Sequence, residues 1–259
     1  MADDEASFWH QMYDAGKIKR KAFSLCFSKA AVDPNGSRAG TMTLGGADER
    51  LHDSKMVYAE KQGADGWYSV YISGVYLKYG DGDSNESNTV KIDVDLNELN
   101  DDGIILDSGT TKSYLPTVLL NPFEKAFSEL MDFQFQTVIS EKDDLDPYTE
   151  YPTILLQLKG AINVEDDDLM DKNGRPLASL ANSLDLDSPN DVILEIPPTH
   201  YMSHISKNKS YTNGFNMNDD DMAGVLGANS FFGYDILFDV DRKRIGFAKS
   251  NCDFDRLNV

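Results

Sequence analysis

The chain has 259 residues, of which 41% are hydrophobic, and this is enough for one or two domains with sizeable cores. Its 24 Lys and Arg residues against 44 Asp and Glu residues give a formal net charge of −20 at pH 7. Because so acidic a surface repels phosphate groups, the composition argues against proteins that bind nucleic acid or anionic membranes.

The first residues predict one short helix and a linker. Over residues 6–16, a set of apolar side chains falls on one helical face, namely Phe8, Trp9, Met12 and Tyr13. Gly16 is typical of a helix end. Residues 17–21 then form a basic linker into a strand that begins near Phe23.

Most of the remaining predicted elements are strands. Residues 67–72 alternate in strand fashion, and a second strand over residues 75–77 follows a predicted turn at Ser73-Gly74. Acidic residues are concentrated in residues 81–102 and 163–191, which we interpret as surface loops. After Pro116, apolar residues keep helical spacing and predict a helix over residues 117–131. No stretch approaches the roughly 18 apolar residues of a membrane-spanning helix.

The stretch most informative about chemistry is residues 104–111, Ile-Ile-Leu-Asp-Ser-Gly-Thr-Thr. An apolar strand would lead Asp107 from a dry core into a turn at Gly109, where a carboxylate is costly unless it is paired or used. The hydroxyls of Ser108, Thr110 and Thr111 can hydrogen-bond the carboxylate or the backbone around it. An ordinary Asp-Ser-Gly turn is the alternative interpretation of these residues alone.

Together with Tyr114-Leu115-Pro116, this stretch resembles the second active-site motif of the pepsin-like aspartic proteases. Further segments similar to that family follow its order along the chain, namely Gly-Thr-Met-Thr-Leu-Gly-Gly at 40–46, Ile-Pro-Pro-Thr-His-Tyr at 196–201, Gly-Val-Leu-Gly at 224–227, Ile-Leu-Phe-Asp at 236–239 and Arg-Ile-Gly-Phe-Ala at 244–248. The resemblance therefore implies an all-β fold with a helix after the active-site turn, and proteolysis of polypeptide substrates.

The resemblance assigns a role to each residue of the motif. Asp107 would be one of two catalytic carboxylates that activate a water molecule between them. Thr110 would hydrogen-bond this carboxylate, and Ser108 would join a hydroxyl network between two such turns. Gly109 would offer its backbone to the substrate, and Thr111 would complete the turn.

The family carries two lobes with one such motif each, whereas these 259 residues contain a single Asp-Ser-Gly and no Asp-Thr-Gly. We therefore expect residues 23–259 to form the C-terminal lobe, with residues 1–22 as a remnant of a missing first lobe. Three hypotheses remain open at this point. The chain is half of a two-lobed endopeptidase, or it pairs with a second copy as retroviral proteases do, or it is a non-catalytic binding lobe.

The two cysteines, Cys26 and Cys252, occupy the two ends of the expected lobe. Cysteines at matching places are paired in the memapsin and plasmepsin V-like branches of the family, so the resemblance implies a Cys26–Cys252 disulfide. Two free buried thiols are the alternative.

Such a bond would imply a secretory, endomembrane or extracellular protein, although the acidic residues 1–5 do not resemble a secretory signal. In that compartment, the sequons at Asn35, Asn85 and Asn208 would be glycosylation acceptors.

No cofactor or metal is predicted. His200 and His204 have zinc-like spacing, but no Glu lies between them. Residues 81–85 alternate oxygen ligands, but Glu86 replaces the turn glycine of a calcium-binding loop.

Overall fold

β-Strands dominate a computed structural model that describes residues 7–28, 40–63, 66–80, 88–143, 145–161, 180–181, 184–217 and 223–252. The helices are α1 Phe8–Asp14, α2 Leu96–Asn100, α3 Leu120–Met131, α4 Pro147–Glu150 and α5 Pro198–Tyr201. The first strands are β1 Ala22–Phe27, β2 Gly40–Leu44, β3 Val57–Glu60, β4 Ser69–Val70, β5 Ile72–Tyr79, β6 Asn88–Lys91, β7 Ile104–Leu106, β8 Ser113–Tyr114 and β9 Val138–Ser140. The later strands are β10 Thr153–Leu158, β11 Val192–Ile196, β12 Met202–Ile205, β13 Ser210–Asn213, β14 Phe215–Asn216, β15 Gly224–Leu226, β16 Tyr234–Asp239 and β17 Arg244–Lys249. Among the described residues, the helices are all too short or too polar to cross a membrane.

The chain divides into two compact units, each built from separate segments. Unit 1 comprises Met1–Tyr71, Leu158–Ile193 and Phe231–Val259, whereas unit 2 comprises Ile72–Gln157 and Leu194–Ser230. The all-β prediction is confirmed in both units.

Unit 1 is built on an antiparallel sheet with the strand order β2-β1-β16-β17-β3. Phe23 of β1 is paired with Phe238 of β16, and their rings stack with centroids 4.8 Å apart. Trp9 of α1 stacks on Phe23 at 5.7 Å, so the predicted N-terminal helix packs onto this sheet. Phe8 was expected on the same helical face but is 64% exposed.

A disulfide joins Cys26 in β1 to Cys252, which follows β17, across a sequence separation of 226 residues. The bond is buried beside Leu51. The predicted bridge is therefore confirmed, and the alternative of two free thiols is wrong.

Unit 2 contains the helix predicted after the active-site turn. A short 3-10 turn, Thr117–Leu119, runs directly into α3, which confirms the expectation for residues 117–131. Phe123 and Phe127 of α3 are buried and cluster with Phe135 and Tyr151. Three sheets build the rest of the unit. β10, β5 and β6 are adjacent in one, the second has the order β12-β13-β9, and β14, β8, β15 and β7 are adjacent in the third.

Two predictions about this region are wrong. Ser73-Gly74 does not form a turn, because β5 runs unbroken from Ile72 to Tyr79. A Cβ atom at Gly74 would lie 2.9 Å from both the Gln157 Oε1 and Tyr76 Cε2 atoms, so the glycine allows close packing within the strand.

The interval 81–102 is not only a loop, since it contains β6 and α2. The acidic Asp95 caps α2 by accepting hydrogen bonds from the Asn97 and Glu98 amides, so this acid begins a helix and does not mark a loop. Of the second acidic interval, residues 163–179 and 182–183 lie outside the described residues.

Candidate active site

Asp107 follows the buried strand β7 and begins a tight turn. Ile104 and Leu106 of this strand are buried, as the sequence predicts. The strand pairs in parallel with β15, where Leu106 lies opposite Leu226. The Asp107 amide continues this ladder by donating to the Leu226 carbonyl at 3.0 Å. The backbone at the end of a buried sheet therefore fixes the position of Asp107.

Two hydrogen bonds orient the half-buried Asp107 carboxylate. The Gly109 amide donates to Oδ1 at 2.9 Å, and the Thr110 hydroxyl donates to Oδ2 at 2.6 Å. The Thr110 bond is the main cause that lowers the pKa of the Asp107 carboxyl, partial burial opposes it, and the Gly109 bond lowers the pKa further. The turn therefore stabilises the ionised form of the acid.

The Ser108 and Thr111 side chains do not bond to the carboxylate. Ser108 is half-buried and Thr111 is exposed, as is Gly109. Within the described part of the chain, the hydroxyls of Ser108 and Thr111 form no hydrogen bond. The Thr111 carbonyl instead accepts a bond from the Asn229 amide at 3.2 Å.

The turn wraps around the end of β15. Strand β7 lies on one side of β15 and runs parallel to it, while β8 lies on the other side and runs antiparallel. The residues after β15 hydrogen-bond to the backbone of the turn, and the Ala228 amide donates to the Thr110 carbonyl at 2.7 Å. At Gly227 any side chain would collide with the backbone of Lys112 and Thr110, so the two segments meet backbone to backbone.

A buried polar cluster, which we call the Ser113 network, lies at this junction and consists of Ser113, Gly227, Asn229 and Ser230. The Ser113 hydroxyl bonds to Asn229 Oδ1 at 2.8 Å, to the Ser230 hydroxyl at 2.7 Å and to the Gly227 amide at 3.1 Å. Sequence reasoning missed this cluster. The only signal was the pair of polar residues Asn229-Ser230 between an apolar strand and two phenylalanines.

Comparison with known proteins places this geometry in a family. The family model of the eukaryotic aspartyl proteases matches residues 1–250. The chain belongs to the eukaryotic aspartyl proteases. It is also similar to a beta-secretase of Strongylocentrotus purpuratus, at 26% identity over an alignment of 231 residues that covers 82% of this chain. The matched region is 36% of that relative's length.

The other segments that carry the family resemblance lie in regular structure. Residues 40–46 begin with β2, and residues 224–248 supply β15, β16 and β17. Tyr201 ends α5, and its hydroxyl donates to the Pro152 carbonyl at 2.6 Å. Burial raises the pKa of the Tyr201 phenol well above its ordinary value, which fits a structural phenol rather than an acid catalyst.

The candidate metal ligands and glycosylation sites that the sequence offered belong to other elements than the Asp107 turn. His200 is in α5, whereas His204 is in β12 and bonds to Glu141 at 2.6 Å. Asn208 is exposed in the turn between β12 and β13. Asn35, Asn85 and the alternating acidic stretch at 81–85 lie outside the described residues.

Proposed function

We propose that this aspartyl protease family chain supplies Asp107 as one of two catalytic carboxylates of an endopeptidase that cleaves polypeptides. The observation that carries the proposal is the carboxylate itself, which ends a buried strand and receives one hydrogen bond on each oxygen. An acid in this setting has a fixed direction and a favoured ionised form. Both properties suit a group that must take a proton from a water molecule.

In the proposed mechanism two carboxylates face each other and share one proton, because like charges at such short range cannot both ionise. The ionised member takes a proton from the water as the water attacks the scissile carbonyl carbon. The protonated member donates a hydrogen bond to the carbonyl oxygen as negative charge develops there. The hydrogen bonds from Gly109 and Thr110 suit Asp107 to the ionised role, although the measured titration would belong to the pair.

The neighbouring turn residues would position the substrate and the second turn. Gly109 is exposed, so its backbone is accessible to an extended peptide. The Ser108 and Thr111 hydroxyls are not engaged within the described residues, which leaves Ser108 available to bond a facing turn. Thr110 would keep the carboxylate oriented throughout the reaction.

The second carboxylate would come from a polypeptide lobe outside these 259 residues. One Asp-Ser-Gly motif occurs in the chain, and the chain spans 36% of the length of the beta-secretase it matches. We accordingly propose residues 23–259 as the C-terminal lobe and residues 1–22 as a remnant of the first. The Cys26–Cys252 disulfide supports folding in an oxidising, secretory or extracellular compartment.

The test is cleavage of an unfolded protein at about pH 4, where a shared-proton pair is active. The 259-residue chain and the longest product of its coding transcript are each assayed with and without pepstatin. Asp107→Asn should abolish pepstatin-sensitive cleavage, whereas the exposed neighbour variant Asp102→Asn should leave it intact. Cleavage by the short chain alone, as a dimer in sedimentation, would indicate a second copy instead of a first lobe. No Asp107-dependent cleavage by either product would indicate a binding lobe.

A further inference from the structure

The Ser113 hydroxyl lies behind the Asp107 turn with its hydrogen-bonding capacity filled. A serine hydroxyl donates one hydrogen and accepts up to two. Ser113 donates to Asn229 Oδ1 and accepts from the Gly227 amide, so the Ser230 hydroxyl acts as its second donor. Ser113 and Ser230 are completely buried, and Asn229 is nearly so. The network is therefore buried, and the hydrogen-bonding capacity of the Ser113 hydroxyl is filled.

Its bonds end on the segment that supports the turn. Gly227 lies between Leu226, whose carbonyl accepts from the Asp107 amide, and Ala228, whose amide donates to the Thr110 carbonyl. Asn229, the acceptor of the Ser113 hydrogen, also donates its own amide to the Thr111 carbonyl. The residues that bind the turn and the residues that Ser113 bonds therefore lie in the same short segment, 226–230.

We infer that Ser113 is a positioning residue for Asp107. Its hydrogen bonds hold residues 226–230 in place against the turn. This sets the geometry of the Gly109 and Thr110 bonds to the carboxylate. The inference deepens the proposed function and depends on it for its catalytic meaning.

A matched pair of substitutions tests the inference. Ser113→Ala and Ser230→Ala each remove one completely buried hydroxyl. Ser113→Ala leaves both Asn229 Oδ1 and the Gly227 amide without this partner. Ser230→Ala removes a single bond and leaves the other two Ser113 bonds in place. Both variants should lower Tm, but only Ser113→Ala should change the environment of Asp107.

The discriminating measurement is the ¹³C NMR titration of the Asp107 carboxyl in the 259-residue chain, assigned by comparison with Asp107→Asn. In Ser113→Ala the titration midpoint should rise by about half a pH unit, since the bonds to the ionised form weaken. In Ser230→Ala it should stay at the wild-type value. If Ser113→Ala does not fold, Ser113→Cys keeps a weaker donor in a slightly larger side chain and should shift the midpoint in the same direction.

Equal midpoints in wild type, Ser113→Ala and Ser113→Cys, with Tm lowered, would show a purely structural role and overturn the inference. The titration needs no cleavage activity, so it is independent of a failure of the proposed function. In the active enzyme, Ser113→Ala should lower kcat about tenfold with KM unchanged, because a displaced catalytic group slows chemistry more than binding.

A separate observation concerns Asn208. This residue is exposed in the turn between β12 and β13, where its amide donates to the Ile205 carbonyl at 3.0 Å. Its side chain makes no hydrogen bond among the described residues, so a glycan could be attached without loss of a contact. Lys209 and Ser210 complete a sequon. Independently of catalysis, the disulfide indicates a compartment in which such sites are modified.

We infer that Asn208 carries an N-linked glycan. The chain is expressed behind a secretory leader in a eukaryotic host, and the peptide that contains residue 208 is analysed by mass spectrometry before and after peptide N-glycosidase F. Conversion of Asn208 to Asp by the enzyme is expected, Asn208→Gln and Ser210→Ala should lose the glycan, and Ser210→Thr should keep it. An unmodified Asn208 in secreted protein that contains the intact disulfide would overturn the inference.

Discussion

The Cys26–Cys252 disulfide should be the largest single contribution to the stability of unit 1. It cross-links residues 226 positions apart in the sequence. The loop-closure relation for a loop of this length gives a stabilisation of about 5 kcal/mol at 25 °C, mainly through lower entropy of the unfolded chain. The double variant Cys26→Ala/Cys252→Ala should therefore unfold at a urea concentration lower by about 2 M.

Tryptophan fluorescence is the suitable assay because the chain has 2 Trp residues and both lie in unit 1. Trp9 is buried against Phe23 in the strand that carries Cys26, so its emission reports directly on this packing. Reduced wild type should match the double variant, and the reductant should leave the variant unchanged. An unchanged midpoint after reduction, or two reactive thiols in the unfolded unreduced chain, would refute the reasoning.

Three further substitutions give distinct outcomes. Thr110→Val removes the main bond that lowers the pKa of Asp107. This bond should stabilise the fold fully above the ordinary pKa of 3.8, and its contribution should be lost as pH falls through the lower folded-state pKa. A difference in urea unfolding between variant and wild type that stays constant from pH 2 to pH 7 would contradict this. Gly227→Ala should cost more than about 3 kcal/mol through its backbone collision, whereas the control Gly46→Ala, in open space, should be near neutral in thermal unfolding. Asp239→Asn should cost about 3 to 5 kcal/mol in urea unfolding because the buried Arg244 loses its carboxylate partner, and equal stability to wild type would exclude this account.

Sequence periodicity predicted the apolar elements of this fold well. Helix α1 and helix α3 follow directly from the spacing of their apolar residues, and strand β1 lies where a strand is expected near Phe23. The turn at Asp107 was predicted from a short apolar run that ends at an acid and a glycine. The disulfide required more than spacing, since its pairing came from the resemblance to a known family.

What sequence reasoning missed depends on contacts between distant segments. Gly74 has the composition of a turn but serves close packing against Gln157, which is 83 positions away in the numbering of the chain. Asp95 has the composition of a loop but caps a helix. The Ser113 network joins residues more than a hundred positions apart, so no local pattern could reveal it.

The most direct test of the central claim is the dependence of acid proteolysis on Asp107. The longest coding product is assayed at about pH 4, as wild type, as Asp107→Asn and as Asp102→Asn. The proposal predicts pepstatin-sensitive cleavage that Asp107→Asn reduces at least a thousandfold, since paired catalytic groups act as a unit, with Asp102→Asn unaffected. Cleavage that persists in Asp107→Asn, or a coding sequence without a second Asp-Thr-Gly or Asp-Ser-Gly motif, would contradict it.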